Sequence, residues 1–323
     1  MMENLTQEMA DKAWEIIQEV DASRICGVLM AVASLLYFKD ESSTAMKLAE
    51  LAGLAPCLIE RHDFPDGEFK LKLPPTLSGR VVLFRSLNHP NEKLVELLFA
   101  AKTARQLGVQ HLTLVVPYLA YMRQDIAFVP GEVVSQRIVG DLLASLFDAV
   151  ITLDPHLHRV ASLQEAVPVK DAINISAAPT LGNLVVQKRM NPFLIGPDEE
   201  SAQWVAQAAA SHRLDYAVAT KTRIGDRSVD IALPPIDVKG RAVVLLDDIA
   251  SSGHTLARAA ELLLLAGAAS VDVAVTHALF DSQAEALIKK AGVEQIWSTD
   301  CIAHSSNAVS VMPAITQVLT KLI

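Results

Sequence analysis

The sequence predicts an α/β protein of two domains, each a mostly parallel sheet flanked by helices. Three observations carry this expectation. Short apolar runs alternate with longer stretches of helical periodicity, the pattern of strands joined by helical crossovers. The second half of the chain repeats the plan of the first. Finally, 323 residues are too many for one small core, while 51% hydrophobic and 20% charged content is that of a compact globular chain.

Taken in order, residues 5–20 read as an amphipathic helix with Met9, Ala13, Ile16, Ile17 and Val20 near one face. The apolar run 28–38 marks a first strand. Ser42, Ser43 and Thr44 are N-cap candidates for a helix that ends near Gly53. Strands are expected over 57–59, 81–84, 112–116 and 149–153, with a weaker one over 167–169, where Pro168 cannot donate to a ladder. Helices over 93–107 and 133–146 separate several of them. In the second half, strands are expected over 192–195, 215–219, 242–246, 270–277 and 295–298. Helices over 200–209, 255–265 and 283–291 lie between them. The two halves meet near Asn174 without a Pro/Gly-rich linker, so they are expected to pack closely. A closing helix over 314–322 is free to return to the first half.

Bulk charge narrows the function. A net charge of −9 excludes a protein that binds nucleic acid through a broad basic face. An anionic substrate would need local Lys/Arg or Mg²⁺ against that field. Cys26, Cys57 and Cys301 are far apart and form no metal or redox spacing, as expected of bystander thiols in a reducing compartment. The apolar stretch 25–38 is too short to span a membrane and follows a polar, acidic segment rather than a basic one. A cytoplasmic enzyme is the expectation.

The most informative segment runs from Val243 to Thr255. An apolar strand ends in Asp247 and Asp248, followed by a loop of small and hydroxyl residues, Ala250, Ser251, Ser252, Gly253, His254 and Thr255, and then a helix. Adjacent carboxylates at a strand end suit the two vicinal hydroxyls of a ribose. Backbone N–H groups and hydroxyls at a helix N-terminus suit a phosphate. Together they describe a site for ribose 5-phosphate. An acidic turn with no ligand, and a nucleotidase strand holding Mg²⁺, are the competing readings. No Gly-x-x-x-x-Gly-Lys-Ser/Thr loop supports the latter.

Four further segments sit at expected strand ends, where open α/β sheets place ligands. Tyr121-Met122-Arg123-Gln124-Asp125 offers a phosphate clamp in Arg123 and an amide reader in Gln124, against the alternative of a solvated loop. Asp154-Pro155-His156-Leu157-His158 puts imidazoles beside a carboxylate. Asp198 is a candidate metal ligand or an N-cap for the helix after it, and both can hold at once. Lys221-Thr222-Arg223, followed by Ile224-Gly225-Asp226-Arg227, is a basic loop in the same half as the acidic one. Earlier in the chain, Arg61 to Glu68 sets Phe64 among Asp66 and Glu68, either to stack a purine or as a turn with one buried ring.

The order of these segments resembles that of the ribose-phosphate diphosphokinases, also called phosphoribosyl diphosphate synthases. The resemblance runs from about Met30 to the C-terminus, and the Lys-Thr-Arg spelling is similar to the archaeal-type branch. It implies two phosphoribosyltransferase-like domains: residues 30–173 on the ATP side and 174–310 on the ribose 5-phosphate side. Residues 311–323 would form a helix on the first domain, and residues 1–29 an extension with no counterpart. It implies transfer of the diphosphoryl group of ATP to the anomeric hydroxyl of ribose 5-phosphate, with Mg²⁺, in a homo-oligomer.

Position by position, the resemblance makes Lys221 and Arg223 the catalytic pair on a mobile loop. Arg123, Gln124 and Asp125 become ATP contacts, with Phe64, Asp66 and Glu68 a purine-contacting loop from the adjacent subunit. His156 and Asp198 become Mg²⁺-associated positions, and Asp247, Asp248 and 250–255 the ribose 5-phosphate site. The chain departs from the family pattern at His254, where glycine is usual, at Ser251 and Ser252, and at Ile126-Ala127-Phe128, where the family is basic. A phosphoribosyltransferase would share the 247–255 loop but leave the Arg123, His156 and Phe64 segments unexplained. A non-catalytic regulatory homologue would have no need of Lys221, Arg223, Asp198 and His156.

Overall fold

The computed structural model describes residues 33–157, 159–223 and 229–323. The amphipathic stretch 5–20, the extension 1–29, Cys26, His158 and residues 224–227 fall outside the described residues. The first half runs β1 (Ser34–Phe38), α1 (Ser42–Ala52), β2 (Ala55–Asp63), β3 (Phe69–Lys72), β4 (Arg80–Phe84), α2 (Pro90–Gln106), β5 (His111–Val116), α3 (Ser135–Leu146), β6 (Ala149–Leu153), α4 (Leu163–Ala166) and β7 (Asp171–Ile175). These strands form one sheet in the order β3-β2-β1-β4-β5-β6-β7, parallel except for the β2–β3 hairpin.

The second half runs α5 (Ala178–Lys188), β8 (Phe193–Gly196), α6 (Ala202–Ala210), β9 (Tyr216–Val218), β10 (Thr220–Arg223), β11 (Val229–Ala232), β12 (Ala242–Ala250), α7 (His254–Leu265), β13 (Ser270–Ala278), α8 (Ser282–Lys290), β14 (Val293–Thr299), β15 (Asn307–Val309) and α9 (Met312–Leu319). Its six-stranded sheet, β15-β14-β13-β12-β8-β9, is wholly parallel, and β10–β11 is a separate antiparallel ribbon. The expected α/β architecture of two mostly parallel sheets is therefore what the chain adopts.

Each sheet is buried on both faces, which is why its central strands read as continuous apolar runs rather than alternating ones. Leu36, Leu83, Leu112 and Leu114 pack with Leu97 of α2 and Leu143 of α3 on one face of the first sheet. On the other face, Leu35, Val82 and Ile151 pack with Leu48 of α1 and with Met312, Ile315 and Leu319 of α9, so the C-terminal helix lies on the first sheet. In the second sheet, α7 and α8 cover one face and α5 and α6 the other.

Three local expectations need correction. Residues 167–169 are not a strand: Val167 and Val169 are buried in the turn after α4, and the strand begins at Asp171, beyond Pro168. Ser42, Ser43 and Thr44 do not cap α1. Glu41 occupies the N-cap position but its carboxylate accepts from Arg85 and Ser86 N instead of capping the helix, and the Ser42 hydroxyl donates to the Lys39 carbonyl at 2.7 Å. The expected strand 242–246 continues to Ala250, because β13 pairs with it as far as Ala278. That extension carries Asp247 and Asp248 on the strand itself.

Candidate active site

The two sheets present the C-terminal ends of β6 and β12 to each other. The His156 imidazole, just past β6, bonds through Nδ1 to Asp248 Oδ2 at 2.9 Å. This contact joins a segment expected on the ATP side to one expected on the ribose side. Burial, then the nearby Arg123 guanidinium, pushes the His156 pKa down, favouring a neutral ring. Burial raises Asp248 to about 7, and the Asp247 carboxyl is driven well above the usual carboxylate range by burial, then by Asp248 and Asp198. A site that makes several carboxylates this reluctant to ionise together is built for a counter-cation or for hydroxyl donors.

Asp198, at the end of β8, is also drawn in. It occupies the N-cap position of the short turn before α6 but makes no capping bond. Its Oδ2 instead accepts from Lys221 Nζ at 3.0 Å, so the side chain serves an ion pair rather than a cap. Lys221 belongs to the β10–β11 ribbon, where Thr220 to Arg223 pair with Val229 to Ala232, placing the backbone of Arg223 beside that of Val229.

The phosphate-loop candidates connect β12 to α7. Gly253 is the N-cap residue of α7 with φ +75°, and a Cβ there would press on Ile288 and the Ala284 carbonyl at about 3.0–3.1 Å, so glycine is required. With no capping side chain, the first-turn N–H groups are left for an anion. Ser251, Ser252 and His254 are exposed and line a cleft of about 1190 Å³ between the sheets. Its opposite wall is Tyr118, Ala120 and Tyr121 from the loop after β5, with His89 and Asn91 at the start of α2. Thr255 is half-buried in the first turn of α7, and Ala250 ends β12, where its carbonyl accepts from Leu279 N.

The Arg123-Gln124-Asp125 segment lies in the same loop. Arg123 is exposed, its charge felt by Tyr118, His156 and Asp248. Gln124 is engaged locally, donating to the Ile126 carbonyl at 3.0 Å and to Glu132 at 3.2 Å. Asp125 is buried; one oxygen accepts from Arg159 at 2.6 Å and the other finds no partner among the described residues. Its side chain thus braces the 123–125 loop against the loop after β6.

Phe64, Asp66 and Glu68 are not brought to this cleft. They form the exposed turn between β2 and β3, held by Gly67 N to Phe64 O and Phe64 N to Glu68 O. That hairpin is the far edge of the sheet. Four inter-strand spacings, roughly 19 Å, separate β2 from β6. The sequence reading also missed His304 and Phe280, whose rings meet edge-on at 4.5 Å in the cleft wall. An isolated histidine after β14 carries no sequence signal of its own.

Among the described residues, no cluster of three or more His, Cys, Asp or Glu forms a ready metal cage. The carboxylates of Asp198 and Asp248 are hard oxygen donors of the kind Mg²⁺ takes.

Two phosphoribosyltransferase-type halves facing each other across a cleft define the class of the molecule. Residues 33–146 match the family model for the N-terminal domain of ribose phosphate pyrophosphokinase, and residues 164–305 match the phosphoribosyl transferase domain. The fold is similar to that of phosphoribosylpyrophosphate synthetase from Mycobacterium smegmatis, with a TM-score of 0.76 at 22% identity, covering 90% of this chain and 98% of that one. Ribose-phosphate pyrophosphokinase of Methanopyrus kandleri is 36% identical over 275 residues, 84% of this chain and 92% of that protein. Ribose-phosphate pyrophosphokinase 2 of Archaeoglobus fulgidus is 34% identical over 273 residues, 84% and 95% respectively. The chain belongs to the ribose-phosphate pyrophosphokinase family.

Proposed function

We propose that this chain transfers the diphosphoryl group of ATP to the anomeric oxygen of ribose 5-phosphate, yielding 5-phosphoribosyl 1-diphosphate and AMP. The observation that carries the reading is the His156–Asp248 contact, which brings the candidate nucleotide segment and the candidate ribose segment to one point. In this reading Asp247 and Asp248 accept hydrogen bonds from the ribose 2- and 3-hydroxyls, and 250–255 hold the 5-phosphate. The anomeric oxygen attacks the β-phosphorus and the bond from that phosphorus to the AMP oxygen breaks. Positioning and charge stabilisation supply most of the acceleration in such transfers.

Lys221 and Arg223 stabilise the charge that grows on the diphosphoryl group and the departing AMP oxygen. Lys221 starts paired with Asp198, so it exchanges one anionic partner for another as substrate enters. Mg²⁺, when bound, would neutralise the phosphate oxygens, with His156 and Asp198 the candidate positions beside it. Arg123, Gln124 and Asp125 form the ATP-side wall. Residues 30–173 and 174–310 act as the ATP-side and ribose-side domains.

Phe64, Asp66 and Glu68 complete the purine pocket of a second copy of the chain, because their hairpin stands at the outer edge of its own sheet. No described helix is long and apolar enough to cross a membrane, and both substrates are small anions. The test is AMP release from ATP with Mg²⁺, with and without ribose 5-phosphate. Ribose-dependent release that Lys221→Ala abolishes supports the reading.

A further inference from the structure

The two sheets are joined by buried polar groups that the proposed chemistry does not use. Asp154, between β6 and His156, is 2% exposed and adopts φ +36°, a left-handed conformation that a non-glycine residue holds only when its surroundings impose it. Its carboxylate collects three donors from three elements of the second half. These are Thr276 Oγ1 of β13 at 2.8 Å, Trp204 Nε1 of α6 at 3.0 Å and the backbone N–H of Ala177 at 3.0 Å.

The neighbouring bonds continue the seam. His277 Nε2 donates to the Leu153 carbonyl at 3.0 Å. The Thr299 hydroxyl donates to the Thr276 carbonyl at 2.7 Å, and the Ser86 hydroxyl of the first half donates to the Cys301 carbonyl at 2.5 Å. A carboxylate so placed costs heavily to desolvate and is stable only with all its donors present. It therefore resists any relative shift of β6 and β13. The residue it anchors lies two positions before the imidazole that meets Asp248.

We propose that Asp154 is a positioning residue: its clamp on Thr276 and Trp204 fixes the end of β6 so that His156 stays in register with Asp248 across the cleft. This rests on the diphosphoryl-transfer reading for its kinetic consequence, but not for its structural one. A shift of about 1 Å in a catalytic constellation costs up to about a hundredfold in rate. The clamp touches neither substrate, so its loss is felt in kcat rather than in KM.

The test uses the full chain with Thr276→Val, which removes one donor at nearly constant volume, and Thr276→Ser, which retains it. The expected result is a kcat lowered about tenfold or more in Thr276→Val. Both KM values should stay within about twofold, Thr276→Ser should keep the wild-type rate, and amide exchange over residues 149–157 should be faster in the valine variant. If Thr276→Val does not fold, Trp204→Phe removes the indole donor instead and the same expectations apply. A folded valine or phenylalanine variant with unchanged kcat, or with a change confined to KM, overturns the proposal. If the wild-type chain releases no AMP, the reading of the reaction fails separately. Exchange over 149–157 then decides the clamp, and unchanged protection overturns it.

Discussion

At the scale of single residues, the site contrasts charges that chemistry needs with charges that the fold suppresses. In the proposed reaction Lys221, paired with Asp198 in the free chain, is the cation that follows the transferring group, and Lys221→Ala should lower kcat by about 10²–10³, as loss of one preorganised charge donor does. Steady-state kinetics check this. Asp247→Ala should instead raise the KM for ribose 5-phosphate by about 10–100-fold while leaving the KM for ATP nearly unchanged, since in the proposed reaction it removes the carboxyl that accepts from a sugar hydroxyl. His277 shows suppression: burial pushes its pKa from 6.5 to about 4, and its Nε2–H serves the Leu153 carbonyl. Its neutral form is therefore the folded one. Above about pH 6.5 folded and unfolded chains are both neutral here; between 6.5 and 4 only the unfolded chain takes up the proton, so stability drops as the pH is lowered. Relative to His277→Gln, wild type should lose about 2–3 kcal/mol of unfolding free energy between pH 7 and pH 4.5. A constant difference in urea unfolding across that range would contradict the assignment. Asp247, Asp248 and His156 stood out in the sequence as candidates because each sits among its motif partners at an expected strand end. Asp154's clamp did not: Thr276 and Trp204 lie 122 and 50 residues away, and only the fold brings them together.

Among the elements, periodicity located most strands and helices, and the errors have physical reasons. The run 167–169 is apolar because it is buried under α4, not because it pairs, and Pro168 removes the donor a ladder needs. The extra length of β12 was hidden because Asp247 and Asp248 look like a strand terminator. Only pairing with β13 shows that the backbone stays extended through them. Helix contacts were equally invisible from one segment alone. Gly182 of α5 lies so close to α6 that a Cβ would collide with the Ala208 carbonyl. Gly182→Ala should therefore destabilise the chain by about 1–3 kcal/mol despite alanine's better helix propensity. A midpoint in urea equal to or above that of wild type would show that the two helices can separate at no cost.

For the whole molecule, the arrangement of sheets accounts for what one chain supplies and what it lacks. The cleft gathers Tyr121, Ser251, Ser252 and His254, with His156, Asp198, Lys221 and Asp248 linked by contacts near it, while Phe64 remains at the far edge of the first sheet. Two inactive variants should therefore complement each other. If the chain forms oligomers in which the hairpin serves a second copy, as proposed, mixtures of Phe64→Ala and Lys221→Ala should recover activity that neither has alone, because some sites combine an intact hairpin with an intact lysine. Activity that never exceeds the sum of the separate variants would place the hairpin and the lysine in the same chain's site. The C-terminal helix α9 on the first sheet and the buried seam around Asp154 and Thr276 hold the two halves as one body. Whether this body performs diphosphoryl transfer, as proposed, is decided by AMP formation from ATP and Mg²⁺. Diphosphoryl transfer requires AMP release that depends on ribose 5-phosphate, equals the phosphoribosyl diphosphate formed and disappears in Lys221→Ala. AMP release independent of ribose 5-phosphate, or none while ribose 5-phosphate still binds, would contradict it.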